Sequence, residues 1–165
     1  MGKHALLFSK EVPKINILTA NNNAALGVTA AAASVTSGAT LNIGNGISVA
    51  NAVTINGAGA AGNNGALVGI GATGTVSGNI TLGSNATIAT AGGGTALTTS
   101  GTTSGAFALT YAGAGSITVS NTISTPTSIT ANNTLTALNI NTATVTSTGT
   151  QTYNSPITLG AATVT

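Results

Sequence analysis

Charged side chains are almost absent from this chain of 165 residues. Asp, Glu, Lys and Arg make up 2% of it, where about 25% is usual in soluble domains. The few that exist, together with the single histidine, lie at the amino end: Lys3, His4, Lys10, Glu11 and Lys14. From Ile15 to Thr165 there is no acidic, basic or imidazole side chain.

This absence excludes several classes of function for the body of the chain. Affinity for nucleic acid depends on Lys and Arg that neutralise phosphates, so no nucleic-acid partner is expected. Calcium and zinc need carboxylate, thiolate or imidazole ligands, so neither a metal nor another cofactor is expected. General acid–base catalysis needs a group that titrates near neutral pH. We therefore expect no enzyme, including the β-helical polysaccharide lyases, which need clustered charged residues.

Cysteine, tryptophan and long hydrophobic runs are also missing. Disulfides cannot staple the fold, which must depend on packing and hydrogen bonds. No stretch approaches the roughly 18 apolar residues of a membrane span. The run Ala5–Phe8 is too short for the core of a signal peptide. Aromatic residues are rare, but alternation in Ala106–Tyr111 predicts that Phe107, Leu109 and Tyr111 share one core-facing side.

What the chain does contain is short apolar pairs separated by tight corners. Disorder is the first alternative, because Gly, Ser, Thr and Asn are abundant. Disordered chains usually have few apolar residues and a high net charge, whereas 42% of this chain is hydrophobic and its net charge is +2. The pairs Leu41/Ile43, Ile47/Val49 and Val53/Ile55 start six residues apart, with Gly44-Asn45-Gly46 and Ala50-Asn51-Ala52 between them. Gly and Asn tolerate the left-handed backbone of a corner. Short strands with alternating faces predict an all-β parallel β-helix, or β-solenoid.

A longer repeat is visible as well. Four similar segments begin at residues 47, 80, 117 and 157, which are 33, 37 and 40 residues apart. Self-similarity at this spacing indicates stacked units that bury their apolar face against a neighbour. The predicted core residues of these units are Ile47, Val49, Val53, Ile80, Leu82, Ile88, Ile117, Val119, Ile123, Ile157, Leu159 and Val164.

The predicted organisation has two parts. Residues 1–38 form a charged segment followed by an Ala-rich lead-in or cap, with a first strand at 15–18 and helix or loop at 24–33. Residues 39–165 form the solenoid repeats, each of two coils of about 18–22 residues. Six coils at about 4.8 Å would make a rod of about 30 Å. The chain ends in a strand pattern without a cap signal, so end-to-end association is expected.

Threonine at every second position from Thr142 to Thr152 suggests an alternative role. Regular Thr rows on a flat β face suit contact with ice. One unbroken strand of this length would span roughly 35–40 Å, so we expect two faces that meet near Gly149. A Thr-rich ice-binding solenoid is therefore the second hypothesis.

The segment Thr148–Thr165 resembles a phrase of filamentous-haemagglutinin-like and autotransporter-type repeat regions, approximately T-G-x-Q-T-Y-N-x-x-V-T-L-G-x-x-x-T-L. Ile157 replaces the usual Val, and 105–120 is similar to the segment that often precedes the phrase. The residues that match are Thr148, Gly149, Gln151, Thr152, Tyr153, Asn154, Thr158, Leu159 and Gly160.

This resemblance implies a secreted or surface-displayed parallel β-helix of a large bacterial exoprotein, often an adhesin. The expected role is a structural stalk or passenger segment, associated with the outer membrane through regions outside this sequence. Neither the family's secretion domain nor its membrane barrel is recognisable here, so a fragment is expected. The expected partners are neighbouring repeats, a second copy, and host or cell-surface ligands.

Overall fold

The computed structural model describes residues 16–142 and 144–160, and in these the chain is all-β with no helix. Its strands are short because a corner interrupts the extended backbone every few residues. They are β1 Ile17–Ala20, β2 Ala33–Val35, β3 Thr40–Ile43, β4 Ile47–Val49, β5 Val53–Gly57, β6 Leu67–Gly69, β7 Gly74–Val76, β8 Ile80–Thr90, β9 Ala96–Thr99, β10 Thr103–Ser104, β11 Ala108–Gly113, β12 Ser116–Val119, β13 Ile123–Ser124, β14 Ser128–Ala131, β15 Ala137–Ile140, β16 Gln151–Tyr153 and β17 Ile157–Leu159.

The strands stack in parallel as a β-solenoid of about six turns, as predicted. Face A contains β1, β3, β6, the second half of β8, β11, β14 and β16. Face B contains β4, β7, β9, β12, β15 and β17. Face C contains β2, β5, the first half of β8, β10 and β13, and Val145 bridges to Ile123. The chain follows face A, face B and face C in turn, so each coil is a triangle.

The strand register sets the structural repeat at one coil. On face A, Leu18, Leu41, Leu67 and Ile88 occupy successive coils, so the steps are 23, 26 and 21 residues. These lengths exceed the predicted 18–22 where a corner carries an insertion. The stacking distance of parallel strands, about 4.8 Å, gives the described solenoid a length of about 30 Å.

The register corrects the alignment of the four repeat segments. Ile47, Ile117 and Ile157 lie in one column of face B. Ile80 lies on face C, beside Val53 and Thr103. Similar strand–corner–strand segments occur at more than one corner of the triangle. Sequence similarity between these segments therefore did not show which two faces each segment joins.

The first coil is already part of the stack. β1 pairs with β3 and β2 pairs with β5, both in parallel. The segment 24–33, predicted as helix or loop, is a series of turns that ends where β2 begins. The first described strand is β1, whereas a strand was predicted at 15–18. The charged residues before Ile15 lie outside the described residues.

The corners are tight, and their residues explain why. Gly46 has a φ of 70°, which an L side chain rarely adopts. At the corner between faces B and C, Asn51 is fully buried, and its Nδ2 donates to the carbonyl oxygens of Val28 and Ala31 at 2.9 Å. A buried amide needs such partners, because an unpaired one is costly. Asn51 therefore holds the first turn region against the second coil.

The Thr row at 142–152 is divided between two faces. Val145 bridges to face C, and β16 begins on face A at Gln151. Between them the chain turns at residues 147–150, which include Gly149. The expectation that two faces meet near Gly149 is confirmed.

Candidate functional site

The interior of the triangle is filled by columns of aliphatic side chains. Strand alternation directs every second residue inward, and identical positions on successive coils lie above one another. Most of the predicted core residues have an exposed fraction of 2% or less. They are Val49, Val53, Ile80, Leu82, Ile88, Ile117, Val119 and Ile123.

The remaining predicted core residues differ. Ile47 and Ile157 are half-buried and pack against the core. Leu159 is 58% exposed, although it continues the column of Val119 and Ile140, because β17 is the last described strand of face B. Val164 lies outside the described residues.

The aromatic residues lie in or beside the core of face A. Leu109 and Tyr111 are fully buried as predicted, whereas Phe107 precedes β11 and is 38% exposed. The Tyr153 hydroxyl donates to Gln151 Oε1 at 2.6 Å, within β16. The Tyr111 hydroxyl is buried and has no hydrogen-bond partner among the described residues.

Burial changes the ionisation of both tyrosines. Desolvation raises the pKa of Tyr111 far above its ordinary value of 10.0, and the nearby Tyr153 raises it further. Desolvation by partial burial also raises the pKa of Tyr153. Both phenols are therefore neutral at physiological pH and offer no base or nucleophile.

Replacement of Tyr111 by Phe is expected to reduce the loss of stability at alkaline pH. Above about pH 10 the unfolded chain releases the Tyr111 proton, whereas the folded chain retains it. The unfolded state then binds fewer protons, so the free energy of unfolding falls as pH rises. Urea titrations followed by circular dichroism between pH 7 and 11.5 should show a smaller fall for Y111F than for the wild type.

The three lysines are present in both proteins. The difference in alkaline stability loss between the wild type and Y111F therefore reports the contribution of Tyr111. At pH 7 we expect Y111F to be as stable as the wild type or slightly more stable, because the lost hydroxyl has no partner. Equal alkaline losses in the two proteins would contradict the burial of this hydroxyl.

Face B presents the most regular outer surface. Its central outward positions form one column. The residues of a second column lie just after the strands, and their backbone N–H groups donate to carbonyl oxygens of the preceding coil. Asn139 Nδ2 donates to Thr118 Oγ1 at 3.3 Å, a bond along the first column. The first column is Ser48, Thr75, Thr98, Thr118, Asn139 and Thr158. The second is Ser77, Ser100, Ser120 and Asn141.

The other two faces are less regular. On face A, the outward positions Val68 and Ala89 are buried, and Thr40 Oγ1 bonds to the loop at Ala60 and Gly65. On face C, β10 and β13 have only two residues each, and Thr125 after β13 has a φ of 70°. Face B therefore has the most regular row of outward polar side chains among the described strands.

A small cavity lies at the first coil. Its volume is about 240 Å³, and its apolar lining includes Leu18, Leu26, Val35 and Leu41. Ligand pockets usually have about 300–1,000 Å³ and a few convergent polar groups. The polar side chains here are the hydroxyls of Ser34, Thr36 and Thr40.

Within 16–142 and 144–160 no group of three His, Cys, Asp or Glu residues could hold a metal ion. No helix in that part of the chain could cross a membrane. The polar side chains in these two ranges carry hydroxyl and amide groups.

In comparisons with known proteins, no family model matches this chain, and no curated protein or solved structure matches it either.

Proposed function

We propose that this chain is a structural stalk segment, without catalytic chemistry, of a secreted or surface-displayed bacterial exoprotein of the adhesin type. The observation that supports it most directly is the parallel stacking of strands on three faces between β1 and β17. Such a stack extends a chain by about 4.8 Å per coil and holds its ends apart. The family resemblance around Tyr153 supports display at a cell surface.

The composition supports the same role. A spacer needs packing and backbone pairing but no titratable group, and residues 15–165 contain no Asp, Glu, Lys, Arg or His. Each coil contacts its neighbours, so coils can be added without changing those further away. Neighbouring repeats of a longer chain and host or cell-surface ligands are the proposed partners.

The test is to lengthen the solenoid by two coils. Duplicating residues 97–137 after Ala137 preserves every column, because Leu97, Ile117 and Leu138 are successive members of one column. We expect small-angle scattering on monomeric samples to show a maximum dimension longer by about 10 Å. An insertion of equal length with scrambled order serves as the control and should form a loop.

If the protein with the duplicated coils has the same maximum dimension as the wild type, the proposal of a modular stalk is contradicted. Tight, saturable binding of the isolated segment to a single ligand would contradict a role as spacer alone.

A second candidate function, ice binding, is favoured by face B rather than by the Thr142–Thr152 row. Its two polar columns lie about 6.6 Å apart, and successive coils repeat at about 4.8 Å. The columns contain Thr, Ser and Asn and carry no charge. A rigid grid of hydroxyl and methyl groups can order water at lattice positions.

Thermal hysteresis at micromolar protein tests this candidate. A Lys at Thr98, at the centre of face B, should abolish any hysteresis, whereas a Lys at Thr54, an outward position of face C, should not. Absence of hysteresis in the wild type would end the ice-binding proposal and leave the stalk unaffected.

A further inference from the structure

Three asparagines of the solenoid are followed directly by glycine. Asparagine before glycine is the usual place of spontaneous deamidation, because glycine has no Cβ to hinder attack by its backbone nitrogen on the preceding side-chain amide. In a folded protein, the nitrogen and the amide must also be able to leave their hydrogen bonds. The three pairs are Asn45-Gly46, Asn56-Gly57 and Asn64-Gly65.

At the first pair, both reacting groups are bonded to one residue of the next coil. The Gly46 N–H donates to the Thr73 carbonyl oxygen. Asn45 Oδ1 accepts from the Thr73 N–H at 3.1 Å. Attack by Gly46 on Asn45 therefore requires the two coils to separate at this corner.

The second pair is held from both sides. The Gly57 N–H donates to Ser84 Oγ at 3.1 Å, in the following coil. Asn56 Nδ2 donates to the Val35 carbonyl oxygen at 2.9 Å, in the preceding coil. Here too, the reaction requires stacked coils to separate.

The third pair lies outside the strand ladders, in the loop 58–66 between β5 and β6. Asn64 is exposed, and its Nδ2 donates to the carbonyl oxygens of Thr90 and Ala91 at 3.0 and 3.3 Å. The Gly65 N–H has no hydrogen-bond acceptor among residues 16–142 and 144–160. The attacking nitrogen therefore lacks the bond that holds its counterpart at the other two pairs.

Gly65 is buried, so its N–H meets hydroxide when the loop opens. Thr40 holds the loop in place, because its Oγ1 donates to the Gly65 carbonyl oxygen at 2.8 Å and accepts from the Ala60 N–H at 2.9 Å. Opening the loop at Gly65 breaks these side-chain hydrogen bonds but no pairing between strands. Such local opening costs less free energy than the separation of paired strands.

We propose that Asn64 is a site of spontaneous deamidation in the folded protein. Hydroxide removes the Gly65 amide proton, and the nitrogen attacks Asn64 Cγ to form a cyclic imide. The Cγ–Nδ2 bond breaks, and the nitrogen leaves as ammonia after taking a proton from water, which restores the hydroxide. Water then opens the imide to aspartate or isoaspartate. The proposal rests on the fold and not on the stalk role.

The product changes the contacts of the loop. It is the first carboxylate side chain within residues 15–165. An ionised carboxylate only accepts hydrogen bonds, so it cannot replace the donor that bonded to the Thr90 and Ala91 carbonyl oxygens. The loop should therefore separate from the corner after β8.

The test follows the conversion of amide to acid in the purified chain at mildly alkaline pH, both folded and in urea. Mass spectrometry with fragmentation of the intact chain assigns each site, because residues 15–165 contain no Lys or Arg for trypsin. In the folded chain Asn64 should convert about tenfold or more faster than Asn45 and Asn56, since loops open more readily than paired strands. In urea the three should convert at similar rates.

N64Q is the control, and residue 64 should then remain unmodified over the same time, because glutamine forms the larger cyclic imide more slowly. Conversion of Asn45 or Asn56 in the folded chain as fast as that of Asn64 would overturn the proposal. So would a folded chain that keeps Asn64 intact under conditions in which the unfolded chain converts it.

A second measurement tests the effect of the product. Hydrogen exchange of the backbone amides in 58–65 should be faster in N64D than in the wild type, because the loop has lost its contacts to Thr90 and Ala91. N63D adds the same charge one residue earlier and should exchange like the wild type. Equal exchange in the two variants would contradict the release of the loop by the new carboxylate.

Discussion

Replacing Gly101 by alanine is expected to destabilise the fold by about 3 kcal/mol or more, at the upper end of the cost of overpacking. Gly101 is buried at the corner between faces B and C, and a Cβ there would overlap the carbonyl oxygen of Gly78. A Cβ on Gly78 would in turn overlap the carbonyl oxygen of Asn51. Backbone atoms cannot move away without breaking the strand pairing above and below.

Gly93 provides the matched control. It lies on the loop after β8, and a Cβ there would meet open space. Alanine at this position should leave stability unchanged or raise it by up to about 1 kcal/mol, because it restricts the unfolded chain. Urea unfolding followed by circular dichroism measures both variants. A G101A protein as stable as G93A would show that the corners are not in close backbone contact.

Replacing Leu97 by alanine is expected to cost about 3 kcal/mol, within the range for buried leucines. Leu97 is fully buried in β9, between Gly74 and Ile117 in its column. Gly74 has no side chain that could move into the cavity. In a stack where each coil contacts only its neighbours, weakening one interface can also separate the unfolding of the two halves.

Leu159 is the matched control, because it has the same side chain on the same face but is 58% exposed. L159A should lower the free energy of unfolding by at most about 1 kcal/mol. The comparison uses urea titration with thermal unfolding as a second probe, and L97A should show a broader or biphasic transition. Similar losses for the two variants would contradict the assignment of Leu97 to the core.

Much of the fold could be predicted from short-range pattern. Alternation in Val53–Ile55 and Ile117–Val119 identifies inward positions, and Gly44–Gly46 marks a corner, because strand period and backbone sterics act over a few residues. The lack of Asp, Glu, Lys, Arg and His after Lys14 is likewise read from the sequence alone. The regular polar columns of face B could not be predicted, since they join residues 19 to 27 positions apart.

The sequence by itself therefore determined the all-β class, the parallel stacking and most of the buried side chains. Only the tertiary structure decided which strands share a face. It placed Ile80 on a different face from Ile47, included β1 and β2 in the stack, and left Leu18 and Leu159 exposed at opposite ends. The physical reason is that alternation specifies which way a side chain points, whereas coil length, which varies with corner insertions, decides what lies above it.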